Sequence, residues 1–169
     1  MESTHYMALL AANQPWNLLL FMAIPVICAE TIAVTELYIL FTRNFTGIAK
    51  QINSFASALV GVYFAGVFVY LFSTAVIPLT QTGGWKGVAD VIAVGFYLLG
   101  VVPLVGLALI EFGVLKKGAP KEDKLKLHAT FVAIFLVVAH IAMIFGMLNP
   151  TVLGWVPPQA DLMAGMHMQ

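Results

Sequence analysis

Sulfhydryl groups and charge are what this chain has least of. Cys28 is the only cysteine among 169 residues, so neither a disulfide framework nor a CxxC metal or c-type haem site can form within one chain. Only 9% of residues are charged, eight basic against eight acidic, which leaves no basic face of the kind nucleic acid requires. There is also no Ser/His/Asp arrangement, no phosphate-cradling glycine loop and no HExxH pair. Nothing here supports a hydrolase or a transferase.

What the chain has in abundance is apolar surface. Hydrophobic residues make up 61% of it, more than one soluble domain of this length can bury. Four stretches are long enough to cross about 30 Å of hydrocarbon, which takes roughly 20 helical residues. They run over about 16–42, 55–79, 88–115 and 127–148, the last closing at Asn149-Pro150, where proline stops a helix. The first is no signal peptide, because no basic segment precedes it and its apolar run is too long. The expectation is an all-α, integral-membrane, four-helix up-down bundle, a single domain over 1–169 with an outer tail at 149–169.

Seven of the eight basic residues fall in two of the three loops: Arg43, Lys50, Lys116, Lys117, Lys121, Lys124 and Lys126, with Lys86 alone in the middle one. By the positive-inside rule those two loops face the cytoplasm and both termini face outward, the periplasm if the membrane is a bacterial inner membrane. Short loops make consecutive helices antiparallel neighbours. Ser57, Gly61 and Ala65 form the small-xxx-small pattern of close helix contact, and Pro25 and Pro103 should bend their helices.

A charged group at mid-membrane costs at least about 2.5–3.5 kcal/mol, so each one needs a reason. Counting about 1.5 Å per residue places Asp90 near the outer surface, His140 roughly 12 Å below it and Glu30 near the middle. Glu36, Glu111 and His128 fall at similar depth toward the basic loops on three different helices, a set able to hold a proton or a hard-to-borderline cation. Glu30 is too deep to snorkel and must be protonated, paired or facing a polar cavity.

His140, Met143 and Met147 share one face of the fourth helix, with Met22 at comparable depth on the first. Imidazole and thioether suit Cu(I), and both are neutral and cheap to bury. The tail "DLMAGMHMQ" adds Met163, Met166, His167 and Met168, and the N-terminus adds His5 and Met7. In composition these outer segments resemble the copper-binding stretches of periplasmic copper-handling proteins. That resemblance covers about seven residues and implies a protein that captures copper outside and passes it inward. The alternatives are a b-type haem- or quinone-binding subunit of a redox complex, an assembly subunit, and a proton-coupled solute carrier using Glu30 and the inner acids. Haem is hampered because His128 and His140 lie on one helix, about 18 Å apart. The expected partners are the lipid bilayer and either further copies of the chain or a larger membrane complex.

The orientation is open to direct test. Reporter fusions at Gln169 should be active only on the outer face; activity confined to the cytoplasmic face would reverse the topology.

Overall fold

A computed structural model describes residues 3–157 of the chain. A short helix, α1 (His5–Ala11), is followed by four long ones. These are α2 (Trp16–Thr42), α3 (Ile48–Thr82), α4 (Gly87–Glu111) and α5 (Lys121–Met147). The shortest has 25 residues, about 37 Å of helix, so all four are long and apolar enough to span a membrane. Among the described residues there is no strand, and a single 3-10 turn at Pro150–Leu153 follows α5. The chain is an all-α membrane helical bundle.

Two helix starts differ from the sequence expectation. The third loop contributes its last residues to α5, which begins at Lys121 directly after Pro120, with Glu122 and Asp123 in the first turn, where negative charge offsets the helix dipole. More consequentially, α3 begins at Ile48 rather than near residue 55. The segment that reads as a polar loop, "IAKQINS", is therefore helical. It carries Lys50 and Asn53, which with Ser57 one turn further on stand at i, i+3 and i+7 along one face.

Pro25 shows how the bundle keeps its backbone satisfied. Proline has no N–H, so the carbonyls one turn before it lose their donor. The chain there widens by one residue per turn over Leu19–Ala23, with the Ile24 N–H bonded to the Leu19 carbonyl. This leaves the carbonyls of Leu20 and Phe21 facing Pro25. Both are recovered by tyrosines of neighbouring helices: the Tyr63 hydroxyl donates to Leu20 O at 2.7 Å and the Tyr97 hydroxyl to Phe21 O at 2.6 Å. Without water in the hydrocarbon, such internal donors are what make a membrane proline tolerable. α4 is interrupted at Gly100, three residues before the buried Pro103.

At the end of the bundle that carries the termini, α1 lies over the spans as a cap. Asp90, fully buried in the first turn of α4, accepts from the backbone N–H of His5 at 2.7 Å and of Lys86 at 3.1 Å. The His5 ring nitrogen Nδ1 sits 2.6 Å from its other oxygen. The Thr4 hydroxyl donates to the Gly146 carbonyl at 2.6 Å, and Tyr6 packs on Tyr97 with ring centroids 5.2 Å apart. Burial pushes the Tyr6 hydroxyl up to about 12, so it stays neutral at physiological pH.

The core runs along the bundle axis through Ile32, Val60, Phe64, Leu104 and Leu107, all essentially without exposure. α3 and α4 pack closely where Gly61 meets α4. A Cβ at this position would lie 2.5 Å from both the Leu104 carbonyl oxygen and the Ala108 Cβ. A backbone carbonyl cannot swing aside as a side-chain tip can, so the helices would have to part. Gly61→Ala should destabilise the folded bundle by about 1–3 kcal/mol, the usual cost of overpacking. Gly66→Ala, where a Cβ meets nothing within 4 Å, serves as the control. The readout is thermal or denaturant unfolding in detergent, and equal stability of the two variants would refute the contact.

Candidate functional site

The sequence offered three polar groups toward the basic-loop end, and the structure brings all three together. His128 on α5 and Glu36 on α2 are 3% and 4% exposed. The ring Nδ1 of His128 lies 2.8 Å from Glu36 Oε2. That contact is close but off the line of a hydrogen bond, so it is an ionic approach rather than an aligned donor–acceptor pair. On the other side of the ring, Nε2 is 3.0 Å from the Ser57 hydroxyl and 3.5 Å from Glu111 Oε1. Glu111, the last residue of α4, also takes Lys50 Nζ at 2.8 Å. All four spanning helices thus contribute to one cluster.

Hydrogen accounting fixes where protons sit. Ser57 has one hydroxyl hydrogen, and it goes to the Asn53 carbonyl at 2.7 Å. Ser57 therefore accepts from His128, and Nε2 carries a hydrogen. Nδ1 then faces Glu36 Oε2. Two lone pairs 2.8 Å apart would repel, so a proton belongs to this pair, on the ring or on the carboxyl. Asn53 Nδ2 donates to the same Oε2 at 2.9 Å, and to Thr35 Oγ1 and the Ile32 carbonyl. Glu36 Oε1 and Asn53 Oδ1 are buried and have no partner among the described residues. A cavity of about 230 Å³ opens beside the cluster, walled by Glu36, Glu111 and His128 and reaching Lys50, Lys121 and Lys124.

Sequence reasoning missed Lys50, Asn53 and Ser57 as members of this site. Lys50 was counted with the loop and Ser57 with helix packing. Their shared helical spacing was the signal, hidden by starting α3 a turn or two late. The exposed Arg43–Glu122 pair, 3.6 Å apart at the surface, adds little to either stability or the site.

A second cavity, about 150 Å³, is lined by residues of α2, α4 and α5 with Tyr6 of α1 and Phe64 of α3. Met22, Glu30, His140 and Met143 all line it, among aromatic residues that include Phe21, Phe64 and Tyr97. Glu30 and His140 are exposed at its rim, so the surroundings of Glu30 are largely apolar rather than a polar cavity. His140 Nδ1 lies 2.6 Å from the Leu136 carbonyl and must donate to it, which leaves Nε2 with its lone pair free. Met147 stands apart from these groups, 64% exposed, so the proposed ladder loses its outer rung. Met163, Met166, His167 and Met168 lie outside the described residues. Among the described residues, no three His, Cys, Asp or Glu side chains converge as a metal site. For haem, His128 is engaged with Glu36 and Ser57, leaving His140 Nε2 as the one free imidazole nitrogen within a span.

A family model described as "Family of unknown function (DUF6803)" matches residues 1–162. No curated protein and no solved structure matches the chain.

Proposed function

The chain belongs to DUF6803, a family of unknown function, and on its geometry we propose that it is a multi-pass membrane protein built to bind and release a proton at the Glu36–His128 pair. One observation carries this reading: an imidazole whose Nε2 is already protonated presents Nδ1 at 2.8 Å to a buried carboxylate. Such a pair holds one proton in its resting arrangement and loses an attraction when that proton leaves. The groups facing it are few. They are Glu111 with Lys50 as its counter-ion, and Lys121 and Lys124 at the cavity's far wall. With Glu111 balanced by Lys50, and Glu36 and His128 sharing one proton, the interior is neutral, which lets ionisable groups persist at this depth.

Access is from one end. The cavity reaches the exposed Lys121 at the basic-loop end, whereas Ile32, Val60 and Phe64 fill the core toward the outer cavity. The bundle in this form is an uptake site open to one side, not a continuous channel.

A second reading, copper handling, draws on the outer cavity. His140 is oriented by its Nδ1 hydrogen bond to a backbone carbonyl, the arrangement typical of metal-binding histidines. Its bare Nε2 shares that cavity with two thioethers, Met22 and Met143. This donor set suits Cu(I), with the Met/His tail as the external capture segment.

The proton reading is tested by ¹⁵N NMR of the histidine rings in the purified, membrane-reconstituted protein. Wild type should show a His128 ring whose protonation depends on Glu36. In Glu36→Gln the carboxylate partner of Nδ1 is lost, and the His128 ring signals should change. Identical His128 signals in the two proteins across the neutral range would overturn the reading. The copper reading is tested by titration against a Cu(I) chelator probe. Truncation after Asp161 and the double variant His140→Ala/Met143→Leu should each weaken Cu(I) affinity by tenfold or more, roughly 1.4 kcal/mol. Unchanged affinity in both would remove copper from consideration.

A further inference from the structure

The inner cavity has two chemically opposite walls. One is the buried Glu36. Its Oε2 is occupied by Asn53 Nδ2 and His128 Nδ1, while its Oε1 has no donor among the described residues. A buried acceptor left unpaired costs about 1–3 kcal/mol. A carboxylate oxygen can only accept, so the missing partner is an N–H or O–H donor, and a cationic one is best matched.

The opposite wall is cationic. Lys121 and Lys124 have no acidic partner among the described residues: Glu111 is engaged by Lys50, and Glu122 by Arg43. They stand in the first turn of α5, beside Glu122 and Asp123. A water molecule would satisfy Glu36 Oε1 and leave this wall unanswered. A simple anion would answer the lysines and leave Oε1 bare.

We propose that this cavity binds a small zwitterion of the α-amino acid class, its ammonium donating to Glu36 Oε1 and its carboxylate held by Lys121 and Lys124. The proposal rests on reading Glu36 and His128 as a pair that shares a proton, since this keeps the carboxylate ready to accept. Lys124 and His128 are one helical turn apart, about 6 Å along α5. That separation suits a molecule whose two charges are a carbon or two apart, with a flexible lysine reaching in from the mouth. The volume, about 230 Å³, is several times the roughly 30 Å³ share of one water. It lies below the ~300–1,000 Å³ typical of drug-sized pockets. A net-neutral ligand also leaves the balance of the Glu36–His128 and Lys50–Glu111 pairs undisturbed.

The experiment is calorimetric titration of the full chain in nanodiscs with glycine and with alanine. Three probes each lack one feature: methylammonium has no anion, acetate no cation, and glycine betaine no N–H. Saturable binding of glycine or alanine is expected, with each of the three probes at least tenfold weaker. Lys121→Gln/Lys124→Gln should weaken amino-acid binding tenfold or more, and Glu36→Gln should remove it. Circular dichroism and thermal melting of each variant verify that it is folded. The proposal is overturned by folded wild type that shows no saturable binding, by any probe binding as tightly as glycine, or by the lysine variant binding unchanged. The His128 ¹⁵N signature, recorded without amino acid, separates the two ideas. If it behaves as expected while glycine fails to bind, the proton reading stands and the zwitterion falls; if it is insensitive to Glu36→Gln, the proton reading falls on its own.

Discussion

A polar group inside hydrocarbon has no water to turn to, so whatever it needs must come from the chain itself. That constraint explains the arrangement of nearly every polar side chain in this bundle. Pro25 removes one donor from α2, and two tyrosines on two other helices answer the freed carbonyls. Asp90, without exposure, collects two backbone N–H groups and an imidazole. Thr31, Thr35, Thr74 and Thr130 return their hydroxyls to carbonyls one turn back on their own helices. Against this near-complete accounting, Glu36 Oε1 and Asn53 Oδ1 stand out as buried acceptors without a donor among the described residues.

The inner cluster also acts as a fastener. Helices in lipid gain little from apolar contact, because lipid tails are as apolar as leucine, and polar side chains supply part of the association energy instead. Here one imidazole touches groups from α2, α3 and α4 while belonging to α5. A role in holding the helices and a role in binding a proton are therefore exerted by the same atoms. Loss of the proton weakens the His128–Glu36 contact between α2 and α5, which the surface Arg43–Glu122 pair accompanies at this end. The same two helices also line the second cavity.

Depth was legible in the sequence and direction was not. Counting residues along apolar runs placed Glu36, Glu111 and His128 at one level, and they do meet. The same counting set Met22 level with His140, and they line one cavity. Azimuth could not be read, because a helix apolar on every side has no polar stripe to mark its outward face. Met147 shows the limit of spacing alone: in register with His140 and Met143, it is 64% exposed and is not among the residues lining their cavity. Glu30, counted as a mid-membrane acid in need of a polar niche, stands at the rim of an apolar groove. The start of α3 failed for a different reason. Lysine, glutamine and asparagine in "AKQINS" resemble a loop by composition, although all are compatible with helix and two of them point into the bundle.

The cap formed by α1 has a consequence for the order of synthesis. His5 finds its carboxylate 85 residues further along the chain, and Thr4 its carbonyl acceptor 142 residues further. At about 5–20 residues per second, α1 leaves the ribosome roughly 4–17 s before Asp90 exists. Only after α4 has entered the membrane can the first latch close, and only after α5 the second. Throughout that interval the N-terminal helix has no docking place and the upper groove stays uncovered. The cap thus closes fully only once α5 is in place, long after its own residues have been made.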